Sequence, residues 1–474
     1  MKIRILPALV AGVMATTAFL SSCLKSDYAE IEYPVESSIK AFSIGTLQQT
    51  IYGKDSEGKD SFYVDTISYA DVPFTIDQIN RKIYNKDSLP KEVDVTKVLA
   101  SISADNGAIY YVNKNGKDSL WTSADTLDFT NAVTFKVMAY SELQNKFVFG
   151  KHYTVKVNVH KLNPDSLVWK HFGDKMFAEG VTFAEQKAVY MNEYLYVFGK
   201  TENDEIKVFK AHVLRGSLEE WNEITPTNTQ NINIYSATAF NNDIYNDIYY
   251  VADANGKLYN LLNNPGQVGS LEGLSNLISV SNGNLLAYNK TNNKVITINA
   301  NGEAVTDGES SFVKDNTLPE HFSAISTKST HNSNIWRTVV MANNPIEAAT
   351  TANVFSYISS DKVWTKFQPN NPTTCPNQGN ISMISYDGKL FAYGEEFDYF
   401  YSSTDNGLNW KKEEDYMIFP TENKNGIDKL AKYRNGGSYS TVVEDNGNNG
   451  SFIWFIWQDG TATRTCLNRL MPKE

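Results

Sequence analysis

Residues 382–410 read SMISYDGKLFAYGEEFDYFYSSTDNGLNW. Apolar residues alternate as far as Asp387-Gly388, and Leu390-Phe391-Ala392-Tyr393 returns from that pair. Asp-Gly between alternating runs predicts a two-residue hairpin turn, because a primed turn needs positive φ at both central residues. A second strand pair closes between Ser403 and Trp410. Four strands joined in this way make one blade of a β-propeller.

Weaker copies recur on either side of this stretch. One is centred on Val189 to Gly199 and ends at Trp221; others start near Ser236, Leu277, Phe322 and Tyr439. A repeat of roughly 40–55 residues is the range of propeller blades and far too long for hexapeptide solenoids. Each unit has an apolar face that only a neighbour can cover, so the ring must close. The reading is six blades over residues 163–474. Leu167-Val168-Trp169 is the candidate outer strand that completes the last blade.

Upstream of the repeats, residues 38–162 carry short strand candidates. They are Ile39 to Ile44, Phe62 to Asp65, Thr66 to Tyr69, Thr134 to Ala139 and Tyr153 to Val159. Turn signals such as Asn106-Gly107 and Asn115-Gly116 separate them, and this spacing predicts an immunoglobulin-like β-sandwich. Asp94 to Ser101 reads as one short helix. Asn163-Pro164-Asp165-Ser166 breaks the pattern and marks the domain boundary. The expected fold class is all-β.

Residues 1–22 read as a targeting segment: Lys2 and Arg4, then an apolar run from Ile5 to Leu20 too short and badly flanked to span a membrane. It ends Leu20-Ser21-Ser22-Cys23, which resembles a bacterial lipobox. That resemblance implies a lipidated Cys23 as the mature N-terminus, followed by a tether over residues 23–37. A plain secretory signal before an ordinary thiol is the alternative. Leu24 replaces the Asp of inner-membrane retention, and Lys25-Ser26-Asp27 loosely resembles the export signals of surface lipoproteins. The expected location is the outer membrane, lipid-anchored and facing outward.

The chain has 474 residues and a formal charge of −11. Loss of Lys2 and Arg4 with the leader leaves 41 basic against 54 acidic residues, a net charge of −13. That argues against nucleic acid, whose phosphates need clustered Lys and Arg. The remaining cysteines, Cys375 and Cys466, fall in different blades, which favours free thiols over a disulfide.

The octet Ser403-Thr404-Asp405-Asn406-Gly407-Leu408-Asn409-Trp410 matches the Asp-box pattern S-x-D-x-G-x-x-W of sialidase-like propellers. Ser403, Asp405, Gly407 and Trp410 have structural work at a hairpin tip. The carboxylate accepts backbone N–H bonds, Gly takes a left-handed conformation and Trp packs between blades. Ser359 to Trp364 is a degenerate copy without the Gly. The box implies architecture, not catalysis.

No catalytic signature accompanies it. The sialidase three-arginine clamp has no match among Arg215, Arg337, Arg434, Arg464 and Arg469. The six histidines show no metal-binding spacing, and phosphate-loop, dinucleotide and serine-elbow motifs are missing. No catalytic residue, metal or cofactor is therefore expected. Candidate ligand contacts are the acidic run Glu395, Glu396 and Asp398, together with Trp336 and Arg337. For the first three, solvated loop charge is the simpler reading. Trp336, Trp454 and Trp457 are aromatics whose alternation favours core packing over sugar stacking.

In order and pattern the whole chain resembles Bacteroidales-type lipoproteins of unknown function with an immunoglobulin-like domain and a kelch- or sialidase-like propeller. That resemblance implies a membrane-anchored binding protein whose partner is a glycan or an envelope protein. A glycan-cleaving hydrolase using loop carboxylates, or a structural subunit of an envelope complex, is the alternative.

Overall fold

The computed structural model describes residues 37–54, 60–228, 231–242, 245–252, 255–346, 348–367, 373–414, 417–421 and 426–472. Residues 1–36, and with them Cys23 and the leader, lie outside the described residues. The chain divides into two compact units between Asn163 and Pro164.

In the first unit two sheets face each other over one core. The smaller carries Ile39–Ile44, Val98–Ala104 and Thr126–Leu127; the larger has six strands. Alternation does the work: Ile39, Phe42, Ile44, Val98 and Ala100 point inward against Ile83, Ile109, Phe135, Val137, Tyr153 and Val155. Each Val, Ile or Phe among them contributes roughly 1.5–3 kcal/mol on burial. Lys82–Asn85 pairs parallel with Lys146–Lys156, and the other strand pairs of this sheet are antiparallel.

Two local expectations are corrected. Val98–Ala104 is a strand, not part of a helix, because Val98 and Ala100 alternate into the core at period two. The two runs Phe62–Asp65 and Thr66–Tyr69 are not separate strands: all but Tyr69 fall in one strand, Asp60–Ser68, paired along its length with Thr46–Lys54.

The second unit is a β-propeller. Among the described residues it holds six antiparallel sheets, whose first strands are Glu185–Met191, Ile232–Asn241, Leu274–Ser281, Ser323–Lys328, Ser382–Tyr386 and Tyr439–Asp445. We number the sheets one to six in that order. The first strands touch in a closed cycle, the sixth returning to the first, so they enclose a central axis. Sheet six is completed from the other end of the unit: Leu167–Phe172 pairs with Ala462–Leu467.

The turn chemistry explains the hairpins. Asp387 and Gly388 both have positive φ, 50° and 71°, as a primed turn requires. Between sheets five and six the core is aromatic. Phe391, Tyr393, Phe397, Phe400 and Phe419 of sheet five pack on Phe455 and Trp457 of sheet six. Trp454 and Trp457 are both fully buried, so they are packing residues. Apart from one five-residue helix, Leu430–Arg434, and short 3-10 turns, the described residues of this unit are strands and connections.

Candidate functional site

Antiparallel pairing fixes which connections share an end of the propeller. First-to-second and third-to-fourth turns lie at one end, here the turn end. Second-to-third connections and the links between sheets lie at the other, here the mouth end. Hydrogen bonds between sheets keep the same polarity around the axis. At the mouth end Ser382 Oγ and Tyr439 Oη are 3.2 Å apart, and Asn233 Nδ2 donates to the Ser275 carbonyl at 2.8 Å. At the turn end Tyr190 donates to Asn446 at 2.6 Å and Tyr386 to the Ser451 carbonyl at 2.9 Å.

At the mouth end, residues from three sheets converge. Lys187, from sheet one, donates to the backbone carbonyl of Tyr235 in sheet two at 2.6 Å. The Tyr235 ring meets His321, on the link into sheet four, edge to face with centroids 4.4 Å apart. This contact joins sheet two to the approach of sheet four, past the intervening sheet three. Burial, then the charges of Glu185 and Glu320, push the Tyr235 hydroxyl above its ordinary pKa. Burial pushes Lys187 down, to about 8. The mouth thus presents an amine, a phenol, an imidazole and two carboxylates.

The Tyr235 carbonyl is available because the ladder skips. Register between the first two strands of sheet two breaks between Asn233 and Thr238. Ser236 fills the break, its hydroxyl donating to the Asn233 carbonyl at 2.6 Å and accepting from Val251 N–H at 2.7 Å.

Ser403, Asp405, Gly407 and Trp410 sit together at the turn end, on the connection from Tyr401–Ser403 to Lys411–Lys412. Asp405 Oδ1 accepts from Ser403 Oγ at 2.8 Å and from Asn409 N–H at 2.9 Å, and Oδ2 accepts from Asn409 Nδ2 at 2.6 Å. Burial opposes ionisation of Asp405, but these bonds outweigh it and the pKa is lowered. Gly407 has φ of 89°, and a Cβ there would stand 3.0 Å from Val339 of sheet four. Trp410 donates to the Gly407 carbonyl at 2.9 Å and is buried against Val339, Met341 and Val354. The degenerate copy occupies the equivalent turn of sheet four, where Lys362 has the positive φ.

The five candidate ligand contacts are not brought together. Glu395, Glu396 and Asp398 lie on the second-to-third connection of sheet five, at the mouth end. Trp336 and Arg337 open the second strand of sheet four, at the turn end. Glu395 is engaged by Arg434 at 2.7 Å, and Arg434 Nη1 reaches Glu396 at 3.3 Å. Asp398 is exposed.

Glu185, Lys187, Tyr235, Glu320 and His321 were not singled out from sequence as a site. They come from three stretches far apart along the chain and match no motif. The one signal was polar residues within the apolar pattern of an innermost strand, at Glu185-Gln186-Lys187.

Elsewhere, Glu444 is buried at the turn end, its pKa raised by burial, and Trp454 Nε1 donates to it at 2.8 Å. Cys375 and Cys466 are free and buried. Among the described residues no group of three or more His, Cys, Asp or Glu could hold a metal ion. No helix among them is long and apolar enough to cross a membrane.

The family model described as the DUF6242 beta propeller domain matches residues 163–473. That described as the DUF6242 N-terminal domain, a domain of unknown function, matches residues 42–157. Comparison with curated proteins finds no match. Among solved structures, an auxiliary nutrient binding protein from Bacteroides thetaiotaomicron is 10% identical, with 90% of this chain and 97% of that one covered and a TM-score of 0.39. An α-L-arabinofuranosidase mutant from Fusarium graminearum is 11% identical, covering 65% and 99%, with a TM-score of 0.39. Virginiamycin B lyase from Staphylococcus aureus is 13% identical, covering 76% and 96%, with a TM-score of 0.33. Likenesses of this strength carry no information about ligand or reaction.

Proposed function

The chain belongs to the DUF6242 family, and on that premise we propose that it is a lipoprotein of the outer membrane whose propeller binds a glycan or protein without cleaving it. In this reading Cys23 carries the lipid and the protein faces outward. Residues 38–162, an immunoglobulin-like sandwich, act as a spacer. The six sheets are six blades, and the ligand sits at the mouth end of the channel. The observation that carries the reading is the convergence of Lys187, Tyr235, Glu320 and His321 from three sheets onto that mouth. Loops of several blades meet there, and propellers commonly bind at such a place.

The test is a glycan-array screen of the protein from residue 37 onward, with product analysis of every hit. Saturable binding without cleavage supports the reading. Cleavage overturns the non-catalytic part and directs attention to Glu185 and Glu320. Absence of glycan binding leaves a protein ligand.

A second reading, docking of an envelope protein on the sandwich, is supported by one feature. Tyr140, Leu143, Phe147 and Phe149 are exposed on the hairpin formed by Val133–Ser141 and Lys146–Lys156. Exposed apolar clusters mark interaction surfaces. Loss of an envelope cross-link in F147S, with glycan binding unchanged, would favour it.

A further inference from the structure

We propose that Lys187 anchors the ligand and that the group it takes is a carboxylate. This deepens the reading of the mouth as a binding site and rests on it.

An ammonium group has three donors. One goes from Lys187 to the Tyr235 carbonyl, which fixes the nitrogen at the inner edge of the ring. That carbonyl is a neutral acceptor, presented by the break in register between Asn233 and Thr238. Among the described residues no carboxylate forms an ion pair with Lys187, and burial lowers its pKa. Glu185, two residues back on the same strand, is directed elsewhere: it acts on the Tyr235 hydroxyl and lies 3.9 Å from Lys200.

A desolvated cation with no counter-charge is costly, and paired charges are how proteins relieve that cost. A carboxylate entering the mouth would meet the remaining donors in charge-assisted hydrogen bonds. Tyr235 and His321, perpendicular at 4.4 Å, form a wall beside it. The carboxylate has two sources with this chemistry, an acidic sugar or an acidic peptide side chain.

The experiment uses the full chain in detergent and measures the acetylation rate of Lys187 by mass spectrometry near its midpoint. The probes are D-glucuronate, D-glucose and N-acetyl-aspartate. A bound carboxylate raises the amine pKa and covers the nitrogen, so acetylation slows several-fold. Protection by glucuronate but not glucose assigns an acidic sugar; protection by N-acetyl-aspartate alone assigns a peptide. K187Q is expected to lose roughly tenfold or more in affinity for the protecting acid, and K187R to keep most of it. Failure of both acids to protect, up to their solubility limits, overturns the inference. So does equal protection by glucose. If array glycans bind K187Q as well as the parent protein, the mouth remains a binding site and the carboxylate assignment alone falls.

Discussion

Leu167, at the start of the second unit, pairs with Leu467 near its end. The strand it opens supplies the outer edge of sheet six, whose other three strands come from the C-terminal part of the chain. Ring closure therefore depends on a contact between the two ends of the unit. Forming such a contact costs the entropy of closing the longest loop available in the unit.

Phe172 packs the closing strand into the core. It is 6% exposed and its ring lies 5.4 Å from that of Trp454. F172A is expected to destabilise the propeller by about 3–5 kcal/mol through the lost burial and the cavity left behind. Chemical denaturation with near-ultraviolet detection reads this directly. A loss below about 1 kcal/mol would show that the closing strand is dispensable.

Asp405 stabilises its turn as an anion. Its folded pKa is below the unfolded value, so the contribution is present above the unfolded pKa, about 3.9, and is lost as pH falls through the folded one. D405A should cost about 1–3 kcal/mol near neutral pH, since Asn409 N–H and the Ser403 hydroxyl lose their acceptor. The gap between variant and parent should narrow in acid. A gap that stays constant from pH 6 to pH 2 would exclude this origin.

Lys187 shows the same sign of linkage from the opposite cause, since here folding penalises the charged form instead of favouring it. Its folded pKa, about 8, lies below its unfolded value, so the protonated form penalises folding below pH 8. Stability gained from its deprotonation rises between pH 8 and the unfolded pKa of about 10.4. The difference in stability between parent and K187M should therefore move in favour of the parent across that window. This holds whatever the ligand is, and a flat difference would contradict the burial of the amine.

Cys375 and Cys466 are buried, and burial raises both thiols, Cys375 to about 12. The thiolate is the reactive form. Neither should react with an aromatic disulfide reagent in the native protein, and both should react on unfolding. Rapid native labelling of either one would show that its sheet opens locally.

Cys23 is the proposed lipid attachment. C23S should move the protein from the membrane fraction to the soluble fraction, and metabolic labelling with a fatty-acid analogue should mark only the parent. Retention of C23S on the membrane would remove the lipid anchor from the proposal.

Local physics made much of the fold legible. The Asp387-Gly388 pair, the alternation of Leu390 to Tyr393 and the Ser403 to Trp410 octet depend on neighbours in sequence, and each forms the turn or strand expected of it. The alternation at Val98 and Ala100 was equally local, yet a short polar-flanked run reads as helix until the opposing sheet shows which face is buried. The candidate site was not legible. Lys187 and Tyr235 are ordinary residues on two sheets and His321 lies on the link into a third, and only the closed cycle of first strands brings them together at one end. The same geometry separates Trp336 from Glu395, because opposite ends of antiparallel strands carry them to opposite ends of the ring. By itself the sequence determined the repeating hairpin and its turns, since alternation and positive φ are properties of short segments. Tertiary structure decided which ends meet, because burial and the counter-charge of an amine depend on residues that only closure of the ring brings near.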